Sequence, residues 1–269
     1  MRPFEINEKE TARKLTEFLK EKLQQSGLTG YVLGLSGGID SALSAAVGVA
    51  AVGPDKIHAI IMPYSGSSAS SLHDARLVAD FLNLTADTID ISPMIDAYYS
   101  DIKTVDPVRA GNKMARERMS ILFDKAFQYR SLVLGTSNRT EICLGYGTLF
   151  GDVACSVNPL GMLYKTHVRQ MAKYYQIPEK ILNKIPTADL WPGQTDEDEL
   201  GMEYAVVDRL LHMMIENNVT QRQKLNDAGF DDRLIDRAVS LLNKNYFKRH
   251  LPEIADLGLN PIPDKITIT

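Results

Sequence analysis

Cysteine is nearly missing from this chain: two thiols, Cys143 and Cys155, stand among 269 residues. They lie too far apart for a CxxC zinc or redox motif and too few for a disulfide framework, which points to a reducing compartment. No apolar stretch is long enough to cross a bilayer; the longest, around residues 42–52, is about half the ~20 residues a spanning helix needs. The first ten residues are polar and lack the apolar core of a secretory signal. Neither charge dominates, since 30 Lys and Arg stand against 34 Asp and Glu for a net charge of -4. Nucleic acid is therefore not expected as the main partner. Repeats and low-complexity linkers are missing too. What remains is the expectation of a cytoplasmic globular protein with neither membrane nor nucleic acid as partner.

The composition that is present suits a folded core, with 44% apolar and 24% charged residues. Against ~150 residues per domain the length allows one large α/β domain, and residues 1–269 read as one. Residues 7–25 are helical by period, with Ala12, Leu15, Phe18, Leu19 and Leu23 on one face. Strands then alternate with helices: strands at 31–35, 57–62, 85–91 and 132–134, helices at 42–51, 70–82 and 107–129. That order predicts a Rossmann-like, doubly wound parallel sheet, with ligands at the carboxyl ends of its strands. Residues 145–164, rich in glycine and turn formers, read as a long functional loop. Helices at 165–175, 199–217 and 232–243 predict a helical C-terminal part.

The sharpest feature is Gly34-Leu35-Ser36-Gly37-Gly38-Ile39-Asp40-Ser41, between the first strand and its helix. Glycines at such a junction expose backbone N–H groups, and the positive helix end favours an anion, so phosphate is the expected ligand. The run lacks the P-loop lysine and fails the Gly-x-Gly-x-x-Gly spacing of dinucleotide folds. Asp40 would repel phosphate unless a cation bridges them, so it reads as a Mg²⁺ ligand. A simpler reading makes Asp40 a helix cap.

Ser36-Gly37-Gly38-Ile39-Asp40-Ser41 resembles the pyrophosphate loop of the N-type ATP pyrophosphatases, which cleave ATP between its α- and β-phosphates to adenylate a substrate. Further motifs are similar to one branch, the ammonia-dependent NAD synthetases. Gly135-Thr136-Ser137-Asn138-Arg139-Thr140-Glu141 matches the segment where, by resemblance, Thr136 contacts ATP and Glu141 completes the Mg²⁺ site. By its own pattern Glu141 also fits a helix first turn, bonded back to Asn138. In Gly151-Asp152 and Leu163-Tyr164-Lys165-Thr166, the resemblance gives Asp152 to the deamido-NAD substrate near the ammonia position and Lys165 to the ATP phosphates. Pro186-Thr187-Ala188-Asp189-Leu190, followed by Gln194-Thr195-Asp196-Glu197, resembles the family tail in which Thr187 meets the phosphates. The acids from Asp196 to Glu199 are by themselves a favourable helix start. Met62, at the end of the second predicted strand, joins the ATP set. Asn112 and Arg116, on a polar stripe of the 107–129 helix, inherit deamido-NAD contacts, as do Leu149, Phe247 and Lys248.

Two positions depart from the family pattern: Leu149 stands where a lysine is frequent and Phe247 where a histidine is common. Thr148-Leu149-Phe150-Gly151-Asp152 is closer to the glutamine-dependent branch. With only some 30 residues before the phosphate loop, no glutaminase domain is expected. The resemblance thus implies ATP, deamido-NAD and ammonia as substrates, Mg²⁺ as the metal, Asp40, Lys165 and Asp152 as the catalytic set, and a homodimer. Another adenylating amidase of the same fold, or an ATP-binding module without catalysis, remains an alternative.

Overall fold

The computed structural model describes residues 4–65, 69–187, 195–250, 252, 254 and 255. Within them four parallel strands form the centre: β1 (Gly30–Gly34), β2 (Ile57–Ile61), β3 (Ala86–Thr88) and β4 (Ser131–Val133). Their spatial order is β3-β2-β1-β4, and Val32 lies between His58 and Val133. The period of two decides which side each residue covers. Tyr31, Leu33, Ala59 and Ile61 join one apolar cluster, while Val32, Ile60 and Val133 join the cluster on the opposite face.

Helices α1 (Glu8–Ser26), α2 (Ile39–Val52) and α3 (Ala69–Phe81) pack on the first of these faces, and α4 (Ser92–Tyr99) and α5 (Pro107–Gln128) on the second. Helix α1 starts where the Asn7 side chain accepts the Glu10 N–H at 2.8 Å, and ends at Gly27 with φ 66°. The Tyr31 hydroxyl donates to Leu19 O at 2.5 Å, tying α1 to β1. Helix α2 is built of small residues, which lets it lie close to the sheet. A Cβ on Gly48 would stand 3.0 Å from Ile57 and 3.3 Å from Leu134. The remaining helices are α6 (Arg139–Leu144), α7 (Lys165–Tyr174), α8 (Glu179–Leu182), α9 (Asp196–Leu200), α10 (Tyr204–Ile215), α11 (Arg222–Asp227) and α12 (Asp232–Lys244). Helices α6, α10 and α12 share a separate apolar cluster around Leu144, Val207, Leu210, Leu211 and Ala238.

The doubly wound sheet and the helical C-terminal part are as the sequence predicts, with three local differences. The expected strand at 85–91 shortens to Ala86–Thr88, because Asp90 accepts the Ser92 N–H and hydroxyl and starts helix α4. The expected helix at 199–217 breaks at Gly201, whose φ of 70° ends α9. The Glu197 carboxylate then accepts the Tyr204 N–H at 3.0 Å and starts α10. The loop at 145–164 is partly ordered along the sheet, with Val157 bridging Leu134 in parallel.

The order of connections places the site. From β1 the chain crosses to β2 through α2 on one face, and reaches β4, on the other side of β1, through α5 on the opposite face. The winding reverses between β1 and β4, and a crevice opens at their carboxyl ends.

Candidate active site

The chain leaves β1 and turns into α2 through Gly37, at φ +75°. A Cβ there would sit 2.6 Å from Ser71 O and 2.8 Å from Ala75 N of α3, so the position requires glycine. Ser41 Oγ donates to Gly38 O at 3.0 Å and accepts the Ser36 N–H at 3.3 Å. Ser36 Oγ accepts the Gly38 N–H at 3.2 Å. Gly34, Leu35, Ser36, Gly38, Ile39, Asp40 and Ser41 all line a cavity of about 700 Å³. Gly37 is turned onto α3 and is not part of that wall.

The end of β4 brings the second motif to the same cavity. Asn138 and Glu141 form the reciprocal cap that their spacing predicts: Asn138 Oδ1 accepts the Glu141 N–H at 3.0 Å, and Glu141 Oε2 accepts the Asn138 N–H at 3.1 Å. The cap is only part of what these residues do. Asn138 Nδ2 donates to Asp40 Oδ1 at 2.9 Å, joining the β4 end to the β1 end. Lys165 Nζ, on the first turn of α7, lies 2.6 Å from Asp40 Oδ2 and 3.2 Å from Glu141 Oε1. One ammonium is thus shared by two carboxylates from two strand ends. Burial works against the charge of Lys165, but the flanking Asp40 and Glu141 outweigh it and hold the ammonium above the usual lysine range. Burial pushes the Glu141 carboxyl up to about 8, with Lys165 opposing and Asp40 adding to the shift. No group of three or more His, Cys, Asp or Glu side chains able to hold a metal occurs among the described residues. Two carboxylates that already converge on a cation fit Mg²⁺, which takes one or two carboxylates and completes its shell with phosphates and water.

Met62, Thr136 and Thr187 also line the cavity, whereas Ala188, Asp189, Leu190 and Gln194 lie outside the described residues. On the side of α5, Asn112 Oδ1 accepts the Thr148 hydroxyl at 2.7 Å, and Asp152 Oδ1 accepts the Thr148 N–H at 2.8 Å. Lys248 Nζ donates to Gly145 O and Gly147 O, both at 2.8 Å. Burial lowers the Lys248 pKa, while Asp152 draws it back up. Asn112, Asp152 and Lys248 line the cavity; Arg116, Leu149 and Phe247 do not. The Arg116 Nε–H donates to Leu149 O at 3.2 Å on the outer side of the loop, and Phe247 is 48% exposed.

Two groups in this cavity carry no signal that single-sequence reading could use. Thr195 caps α9 as the acidic run suggests, accepting the Asp198 N–H. Asp196 in the same run is instead buried on the cavity wall, accepting hydrogen bonds from Tyr146 and Tyr204, each at 3.1 Å. Burial pushes its carboxyl upward. Lys184 reaches the back of the glycine loop: its Nζ lies 3.0 Å from Asp74 Oδ2, 3.1 Å from Ser71 Oγ and 3.4 Å from Gly37 O. Asp74 is 110 positions distant in sequence, so only the fold reveals that anchor.

A family model described as NAD synthase matches residues 11–252. The NH(3)-dependent NAD(+) synthetase of Fusobacterium nucleatum is 46% identical over 257 residues, covering 96% of this chain and 99% of that one. Among solved structures, an NMN synthetase from Francisella tularensis superposes with a TM-score of 0.84 at 34% identity, covering 94% of this chain and all of that one. The NH3-dependent NAD synthetase of Campylobacter jejuni, solved with nitrate, gives 0.79 at 35% identity over 93% of this chain and all of that one.

Proposed function

The chain belongs to the NAD synthase family, and from that membership we propose that it makes NAD by ATP-dependent amidation of deamido-NAD with free ammonia. The observation that carries this reading is the meeting of Asp40, Glu141 and Lys165 beside the glycine loop, at the switch point between β1 and β4. A carboxylate does not react usefully with ammonia, because oxide would have to leave. Adenylation removes that obstacle. An oxygen of the nicotinate carboxylate bonds to the α-phosphorus of ATP, the bridging α–β P–O bond breaks, and pyrophosphate departs. Ammonia then attacks the carbonyl carbon, loses a proton, and expels AMP to leave the amide.

The N–H groups of Ser36 and Gly38 and the Ser41 hydroxyl exchange their bonds within the loop for bonds to the phosphates, beside the Ser36 hydroxyl. Asp40 and Glu141 would hold Mg²⁺, which when bound neutralises phosphate charge. Lys165 supplies a fixed ammonium beside them, and Lys184 a second one behind the loop. Leu35, Ile39, Met62, Thr136 and Thr187 complete the ATP side. Asp152 opens onto the cavity, whose walls push its carboxyl above the usual range and suit it to accept a proton from ammonia.

Asn112, Arg116, Leu149, Phe247 and Lys248 belong to the dinucleotide side. We assign this side to a homodimer contact. Arg116 shares an exposed stripe of α5 with Phe123 and Phe127, the last 88% exposed. A single-domain chain in the cytoplasm fits two free cysteines and the lack of any described helix long and apolar enough to cross a membrane.

A second reading keeps the chemistry and changes the acid to deamido mononucleotide. It is favoured by the TM-score of 0.84 to an NMN synthetase, and by Leu149 and Phe247, which cannot bind a second phosphate. The test supplies ATP, Mg²⁺ and ammonium with either acid and measures AMP and amide. Equal AMP and NAD from the dinucleotide, with no product when glutamine replaces ammonium, supports the first reading. Turnover of the mononucleotide alone selects the second, and no AMP from either acid leaves only a nucleotide-binding module.

A further inference from the structure

Helix α10 belongs to the helical C-terminal part, yet it sends one fully buried carboxylate to α6 and α7. Asp208 is 0% exposed, and its helix neighbours Val207, Leu210 and Leu211 are equally buried in an apolar cluster. A carboxylate in such surroundings is costly unless its oxygens are fully engaged. They are. Oδ1 accepts the Thr140 hydroxyl at 2.5 Å, and Oδ2 accepts both the N–H and the hydroxyl of Thr166 at 2.7 Å. Thr140 Oγ1 accepts in turn the Lys165 N–H at 3.0 Å.

These bonds fall on particular neighbours. Thr140 immediately precedes Glu141, and Thr166 immediately follows Lys165. Tyr164, which precedes α7, offers no side-chain cap of its own, so the Thr166 N–H is satisfied by Asp208 from α10 and the Lys165 N–H by Thr140 from α6. One carboxylate therefore fixes the backbone on which Glu141 and Lys165 both stand. The shared ammonium needs that register: its two distances, 2.6 Å and 3.2 Å, join groups from different strand ends.

We propose that Asp208 is a positioning residue for the ATP side of the site, acting through Thr140 and Thr166 to hold Glu141 and Lys165 at their mutual distance. It lines no part of the cavity. The inference rests on the adenylation reading for the use of that register, and its test is chosen to be separable from it.

The readout is binding of Mg²⁺ with a non-cleavable α,β-methylene ATP, measured by calorimetry beside deamido-NAD binding and thermal stability. Asp208→Asn keeps shape and removes charge. It should weaken the nucleotide by ~10-fold or more, the loss expected when a charge-assisted contact is displaced, and leave deamido-NAD within about twofold. Leu211→Ala, a cavity in the same helix and cluster, should lower Tm without that selective loss. Thr140→Val should reproduce the Asp208→Asn pattern and Thr140→Ser should restore binding, which keeps the test open if Asp208→Asn does not fold. Native nucleotide affinity in both Asp208→Asn and Thr140→Val, or equal losses for both ligands in step with Tm, would overturn the proposal. Turnover of the native chain is scored separately: no AMP from it defeats the adenylation reading, whereas the binding pattern alone decides the role of Asp208.

Discussion

On the strand-end side of the cavity, Lys165 is 2% exposed and its Nζ is held by two carboxylates. On the α5 side, Arg116 is exposed and Lys248 is held by two backbone carbonyls. The first set is rooted in the ends of β1 and β4 and cross-linked by Asn138, so its geometry is inherited from the sheet. The second stands on the outward side of α5, on the loop after α6 and on a C-terminal turn, one step removed from the strand ends. Chemistry common to many substrates sits where the core enforces distances, and selectivity sits where residues can change without disturbing the core. Both departures from the family pattern, Leu149 and Phe247, fall on the second side.

The largest expected effect breaks the strand-end side. Asp40→Asn should cut AMP formation by on the order of 10²–10³-fold, as removal of preorganised electrostatic groups does, while deamido-NAD still binds. Near-native turnover would show that Asp40 is only a helix-start residue. The α5 side should respond in the opposite sense. Arg116→Ala should raise the deamido-NAD KM by ~10- to 100-fold and change the ATP KM by less than about twofold. Equal effects on both, or none on either, would return Arg116 to the solvated surface. Leu149→Lys sharpens the contrast by restoring a cation. It should lower the dinucleotide KM by about 2- to 5-fold, the scale of an exposed ion pair, and leave mononucleotide kinetics unchanged.

The smallest effect concerns pH. Burial pushes the Glu141 carboxyl up to about 8, so the folded chain takes up this proton at a higher pH than the unfolded chain, whose value is about 4.3. Its contribution to stability is full below the unfolded value and falls as pH rises toward 8. Thermal unfolding without divalent cations, at pH 5 through 8, should therefore show a shallower decline for Glu141→Gln than for the native chain. Identical slopes would place Glu141 in an ordinary, ionised capping role.

The strand-end side was legible in the sequence because its residues sit within short motifs. Gly34 to Ser41 and Gly135 to Glu141 each occupy a strand end, and parallel α/β topology brings strand ends together. Even there the sequence missed two things. The resemblance places Lys165 at the phosphates, but nothing local to it shows that its ammonium also bridges Asp40 and Glu141, across 125 and 24 positions. Asp196 reads as one more acid at a helix start, and only the packing of Tyr146 and Tyr204 shows it to be buried. Strand 85–91 is present but shorter than expected for a local reason, since the Asp90–Ser92 turn takes over its last residues. The α5 side was legible only through resemblance. The positions of Arg116 and Phe247 off the cavity wall follow from the register of α5 and the turn at 246–249, which no local pattern encodes.

The strand-end side is defined by the bond it makes. Deamido-NAD labelled with ¹⁸O in both carboxylate oxygens, turned over with ATP, Mg²⁺ and ammonium, should deliver one labelled oxygen to AMP and retain the other in the amide of NAD. Label-free AMP, or label in pyrophosphate, would contradict attack of the carboxylate on the α-phosphorus, and with it the role given to Asp40, Glu141 and Lys165.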